Sequence, residues 1–178
     1  ITKKGSSLEL GSGMSRIKAG EKVRIVGSTI EGKGDLVLDG KQGVDILNDT
    51  NTTDTETTTR HFGGLGGFGQ GYSIYTQNST TSSKENVAAS VKMAGNLTMK
   101  SDNDIRIERS HVSAGKKLNL DAGQNIVGKE ATIRSAGNAM LNAGNDITLT
   151  THREKTGSGN KWKIRNSGSE LNVGATCR

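Results

Sequence analysis

Apolar residues in this chain return to the same places every 21 positions. Residues 17–23 read IKAGEKV, 38–44 LDGKQGV, 99–105 MKSDNDI, 120–126 LDAGQNI and 141–147 LNAGNDI. Positions 17 and 38, 99 and 120, and 120 and 141 are each 21 apart, whereas 38 and 99 are 61 apart. Stacked at that step, Ile17, Leu38, Met99, Leu120 and Leu141 form one column, and Val23, Val44, Ile105, Ile126 and Ile147 a second. Two residues on lies a third column of Ile25, Ile46, Ile107, Gly128 and Leu149. Leu36, Leu97, Leu118 and Ala139 form another, and Ile30, Val91, Val112 and Ile133 precede the LxL pairs. Each pair has period 2, the mark of a short strand. Between pairs sit AG, GN, DN and GQ dipeptides, which favour turns.

Three short strands and three corners per repeat describe a parallel β-helix, in which each strand pairs with its equivalent one coil up and one coil down. A spacing of about 4.8 Å per coil makes about six coils a rod on the order of 30 Å long. The predicted fold is therefore all-β, a right-handed single-stranded parallel β-helix of ~21 residues per coil, with hairpin-like excursions. The whole chain, 1–178, reads as a single β-helix segment. Its coils span about 8–47 and 87–150, and its excursions about 48–86 and 150–170.

Both excursions start directly after the same column, at Ile46 and at Leu149, so both leave from one corner of the coil. The first is rich in Thr, Ser and Gly. Its alternation predicts an antiparallel hairpin with strands near Thr55–Phe62 and Tyr72–Ser79; a Gly/Ser/Thr loop without fixed structure is the alternative. GSSLELGSG at 5–13 echoes SGSELNVGA at 167–175, and each is read as a point where an excursion rejoins the coils. The pattern starts and stops inside a repeat, so a longer parent protein is expected.

Composition sharpens this picture. Hydrophobic residues are 30% and aromatic residues 3% of the chain, too few for a thick core but enough for rows of small side chains in register. Proline is absent, as strands that must donate every ladder N–H require. The net charge of +6 is spread over short, separated basic steps, which reads as a solvated mixed-charge surface that blunts strand edges. Nucleic acid is not expected as a partner. The one cysteine, Cys177, excludes an intrachain disulfide framework.

Candidate chemistry is sparse. Gly64 to Gly69 matches G-x-G-x-x-G, but no amphipathic helix follows it. His61, His111 and His152 lack metal-ligand spacing and read as solvent-facing, His111 at a coil corner. The corner column Asp104, Asn125 and Asp146 reads as side chains capping their own turns. Asp102 is replaced by Gly123 and Gly144 in the next coils, so no second carboxylate pair builds a glycosidase-like groove. Asn48, Asn51, Asn78 and Asn96 begin N-x-[ST] sequons. No catalytic residue, cofactor or metal site is expected, and the chain is read as no enzyme. The candidate contact surface is Phe62, Phe68, Tyr72 and Tyr75 in the first excursion and Trp162, between two lysines, in the second. Trp162 packing back on the rod is equally compatible with the sequence.

The stretch AGKKLNLDAGQNIVGKEATIRSAGNAMLNAGNDITLTT (114–151) resembles the hemagglutinin repeats of two-partner-secreted exoproteins, a family that includes filamentous hemagglutinin and the CdiA effectors of contact-dependent growth inhibition. The resemblance implies export across the outer membrane through a dedicated two-partner secretion transporter and folding outside the cell. It implies a bacterial cell-surface location, with adjacent repeats and a neighbouring cell surface (receptor, outer membrane or glycan) as partners. It also implies a shaft, adhesive or supporting delivery of a C-terminal toxin, and carries over no catalytic residue.

Overall fold

The computed structural model of the chain describes residues 5–63, 73–158 and 161–174, with side chains described outside 61–63, 73–75 and 152–167. Each coil contributes one strand to each of three parallel sheets. The first sheet holds Ser7–Leu10 (β1), Thr29–Gly32 (β4), Ser90–Met93 (β9), His111–Ala114 (β12), Thr132–Ser135 (β15) and Glu170–Val173 (β20). The second holds Met14–Ala19 (β2), Asp35–Gly40 (β5), Leu97–Ser101 (β10), Leu118–Ala122 (β13) and Ala139–Ala143 (β16). The third holds Lys22–Val26 (β3), Gly43–Leu47 (β6), Asp104–Glu108 (β11), Ile126–Lys129 (β14) and Ile147–Thr150 (β17). This is a parallel β-helix.

The pairing register follows the sequence repeat. Met14 lies opposite Asp35, Leu97 opposite Leu118, and Leu118 opposite Ala139, each a step of 21. Leu38 lies opposite Met99 across the long step of 61. The echoing segments at the two ends close one column: Leu8 pairs with Ile30, and Ile133 with Leu171.

The core is a stack of rows. Leu36, Leu38, Val44, Ile46, Leu97, Met99, Ile105, Ile107, Leu120 and Ile126 are all at most 1% exposed. Each such side chain contributes roughly 1.5–3 kcal/mol relative to exposure. The missing side chain at Gly128 is made good from the next coil, where Leu149 Cδ2 lies 2.6 Å from where a Cβ would stand. The column positions at the ends of the stack differ from the middle. Val23 is buried, whereas Ile17 and Leu141 are only partly buried. Ile147, expected in the core, is 47% exposed. Its strand β17 pairs with β14 alone, so among the described residues no further strand extends that end of the row.

The corners are held by backbone and by side chains of neighbouring coils. Asn125 donates its main-chain N–H (3.2 Å) and its amide Nδ2 (3.0 Å) to Asp104 Oδ1, and Asp146 donates its N–H to Asn125 Oδ1 (3.3 Å). These side chains cap the turn of the next coil, not their own as the sequence reading had it, because the equivalent residue stands directly above at the sheet spacing. Another ladder of this kind runs from Asp35 through Asn96 to the N–H of Lys117. At Gly123 the coils approach so closely that a Cβ would stand 2.7 Å from the Asp102 carbonyl carbon.

Two antiparallel ribbons interrupt the coils. Asp49–Gly63 (β7) and Ser73–Val87 (β8) form one two-stranded sheet, and Thr50–Asn86 cluster as a compact unit apart from the coils. These strands are longer than the sequence reading allowed. The ladder uses backbone groups and runs on through Asn, Lys and Glu positions of low β-propensity. His152–Ser158 (β18) pairs antiparallel with Lys161–Ser167 (β19).

Candidate interaction surface

The corner between the third and first sheets is where both ribbons leave. Without a ribbon it is a two-residue turn: Gly27–Ser28, Arg109–Ser110 and Glu130–Ala131. The first residue of each takes a positive φ, 53° at Gly27, 45° at Arg109 and 50° at Glu130. For Arg and Glu this backbone conformation costs on the order of 1 kcal/mol. Neighbouring coils offset it. The Arg109 N–H donates to the Lys129 carbonyl (2.8 Å) and the Glu130 N–H to that of Thr150 (3.1 Å). The Arg109 guanidinium pairs with the Glu130 carboxylate. The sequence analysis missed this pair; its only signal is that Gly27 occupies the same column.

A serine seals the same corner. Ser110, fully buried, donates its hydroxyl to the Glu108 carbonyl at 2.6 Å, and Ser28 donates to that of Val26 at 2.8 Å. After the second ribbon, Ser169 takes that place. Its hydroxyl lies 2.8 Å from the Thr150 carbonyl and 3.1 Å from that of Gly128, and accepts the Ala131 N–H at 3.2 Å. The coil after the second ribbon thus closes with a serine, as at Ser28 and Ser110, whereas buried Ala89 and Ala131 hold that place in two other coils.

The first ribbon is two-faced. Thr50 donates to Asn86 Oδ1 (3.5 Å) and Ser82 to Asp54 Oδ1 (2.5 Å). The partner number falls by four as the other rises by four, so the strands are antiparallel with both bonds on the even-numbered face of β7. That face also carries Glu56, Arg60 and Lys84. On the opposite face stand Thr53, Thr55, Thr57 and Thr59 beside Ser83, Thr81, Ser79 and Gln77, all exposed and none charged. The Thr/Ser-rich face offers hydroxyl and methyl groups in two columns, with Glu85 on it opposite Asn51; the other offers both signs of charge.

The expected contact aromatics are placed only in part. Phe62, Tyr75 and Trp162 occupy positions in β7, β8 and β19, with side chains outside the described set. Phe68 and Tyr72 lie outside the described residues, as does the glycine run from Gly64 to Gly69. His61 and His152 are strand positions whose side chains are likewise outside the described set. His111, expected at a corner, is instead the first residue of β12 and exposed.

Two shallow hollows of about 380 and 300 Å³ lie side by side on the outer face of the first sheet and share Lys92 and Ser113. Among the described residues, no group of three His, Cys, Asp or Glu side chains is placed to hold a metal ion. Among the described residues two carboxylates are shifted, and hydrogen bonds along the coil ladders lower both. Hydrogen bonds from Asn96 hold Asp35 below its ordinary value. Partial burial pushes Asp104 up, but hydrogen bonds from Asn125 and Arg106 together outweigh it and bring the group below its ordinary value. Both carboxylates are structural acceptors, committed to the next coil, and Asp102 is exposed at the corner rather than facing a partner carboxylate.

Fold and surface define a repeat segment of a parallel β-helix carrying hairpin insertions at one corner. Its family is shown by sequence: the hemagglutinin repeat profile matches residues 1–107, and the chain belongs to that family. A second profile, describing repeats of unknown function, matches residues 94–156. Among characterised proteins the chain is similar to tRNA nuclease CdiA of Burkholderia pseudomallei, 30% identical over 123 residues, which is 65% of this chain and 9% of that protein. It is equally similar to tRNA nuclease CdiA-2 of strain 1026b, of which it covers 4%. The chain thus spans a small fraction of the relatives it matches. No solved structure matches it.

Proposed function

We propose that this chain is a non-enzymatic shaft segment of a large secreted exoprotein at a bacterial surface, and that the shaft supports contact-dependent delivery of a toxin to a neighbouring cell. The carrying observation is that the coil register continues unchanged across both insertions, with Leu38 opposite Met99 and Ile133 opposite Leu171. The coils then act as a rigid carrier and the ribbons as the variable, exposed part. Relatives named as tRNA nucleases, of which this chain matches only a small share, support placing the nuclease activity outside these repeats. The partners of this reading are the two-partner secretion transporter and the target cell surface. The first ribbon, with Phe62, Phe68, Tyr72 and Tyr75, is the contact surface, and Trp162 in the second ribbon adds to it.

A second reading is an adhesin module that binds host glycan, receptor or outer membrane through the same ribbons. It is favoured by the Thr/Ser-rich face of the first ribbon, a surface ready to exchange hydrogen bonds with a polyhydroxyl ligand. Replacing 50–86 by a Gly-Ser corner in the full-length protein distinguishes the readings. The expected product is folded and secreted, with toxin delivery lost. Retained delivery with lost host-cell binding supports the adhesin reading. An unfolded product, or unchanged delivery and binding, overturns both.

A further inference from the structure

The repeat that builds this fold also endangers it. Successive core residues are nearly interchangeable: Leu38, Met99 and Leu120 in one sheet, Val44, Ile105 and Ile126 in another. A strand that skipped a coil would bury the same apolar pattern. Chain length does not forbid it. The ladder already absorbs a step of 61 residues between Leu38 and Met99 and one of 38 between Thr132 and Glu170. Pairing Asp39 with Asp121 in place of Lys100 lengthens the step from 61 to 82 residues. Loop-closure entropy grows only with the logarithm of that length.

The outward rows do discriminate. On the second sheet one row reads Lys18, Asp39, Lys100, Asp121, and each residue stands opposite the next. On the third sheet the row is Arg24, Asp45, Arg106. Asp45 there is 6% exposed, with Arg24 and Lys22 each 3.8 Å from its carboxylate. Glu108 stands opposite Lys129, and Glu31 opposite Lys92. In the strand rows, Glu9 and Glu31 are the like-charged neighbours. A skipped coil would set Lys18 against Lys100, Asp39 against Asp121 and Arg24 against Arg106. Directly opposed like charges destabilise a strand pair, and opposite charges stabilise it.

We propose that the alternation of charge sign from coil to coil is a register code that selects the adjacent coil over the next but one. The apolar columns specify which residues point inward, and the charge rows specify which coil comes next.

The test uses the full chain with Cys177→Ser, Val37→Cys and Asn119→Cys. Val37 and Asn119 each lie opposite Thr98. They are thus two strand spacings apart, about 10 Å, beyond the roughly 7 Å that a disulfide can span. The disulfide forms only when the coil between them is skipped. Refolding from denaturant under a glutathione redox buffer at low salt is expected to give little of it. Adding Asp121→Lys opposes two lysines in the native register and pairs Asp39 with a lysine in the skipped one. The disulfide-linked fraction should rise roughly tenfold. The rise should disappear at about 1 M salt, where the screening length is about 3 Å. Inverting the whole row (Lys18→Asp, Asp39→Lys, Lys100→Asp and Asp121→Lys) restores alternation and should return the fraction to the parent level. Should Asp121→Lys give no folded material, Asp121→Asn, which removes attraction without adding repulsion, must still raise the fraction. Equal fractions in parent, Asp121→Lys and Asp121→Asn overturn the proposal. So does a rise that ignores salt, or one equally large in the inverted row.

Discussion

Truncating one column at two heights separates the contribution of position from that of residue type. Ile126 and Ile147 are neighbours in the third sheet, paired directly in register. Ile126 is 0% exposed and Ile147 is 47% exposed. Ile126→Ala removes a fully buried side chain and leaves a hole between Ile105 and Ile147, so its cost falls at about 2–5 kcal/mol. Ile147→Ala removes a side chain that keeps about half its accessible surface. Only about half the transfer energy is at stake, and the space left opens to water, so the cost is about 1 kcal/mol. In urea, with a slope of about 2 kcal/mol per M, these become midpoint shifts of about 1–2.5 M and about 0.5 M. Coils contact mainly their neighbours, so the end coil melts first and the transition can be broad. The assay is therefore urea unfolding with hydrogen exchange resolved by coil. Ile147→Ala should affect protection in the last coil alone, and Ile126→Ala in the coils on both sides. Equal midpoint shifts for the two variants would refute the view that burial within the stack sets the energetics.

Two other perturbations test the corners. Gly123→Ala drives a methyl group into the Asp102 carbonyl, so the coils must separate locally; a loss of about 1–3 kcal/mol by urea titration is expected, and an unchanged midpoint counts against the close approach. Acid should weaken the ladders. Asp104 has a folded pKa below its ordinary 3.8, so its contribution is complete above the unfolded value and is lost as the pH falls below 3.8 through the lowered folded value. Asn125→Ala removes the Nδ2 hydrogen bond to Asp104 and leaves the main-chain N–H and Arg106 in place, so part of the shift is lost and the variant, less stable at neutral pH, should lose less on acidification than the parent; parallel stability profiles would contradict this.

The columns of Leu, Ile and Val every 21 residues specify strands, corners and the residues of each strand that face inward. That follows because a parallel coil sets each position of the sequence period in one spatial column. The exit corner of both ribbons was equally legible, since Ile46 and Leu149 fall in one column. The echo of Leu8 and Leu171 was legible as a rejoining point, but only the ladder placed both in the same sheet column. The sequence also contained the alternating row Lys18, Asp39, Lys100, Asp121. Its meaning emerges only when those residues stand opposite one another.

Other features needed the assembled molecule. The exposure of Ile147 depends on which neighbours its strand has, not on the residue. The caps formed by Asp104 and Asn125 reach across coils, because the nearest free N–H belongs to the residue one repeat later. The positive φ of Arg109 and Glu130 is imposed by a tight corner and tolerated because the two side chains pair across it. The sequence by itself determined the repeat, the inward faces and the sites of insertion, because periodic side-chain chemistry is local information. The tertiary structure alone decided the ladders, the strained corner and the ends of the core, because each depends on contacts between residues a full coil apart.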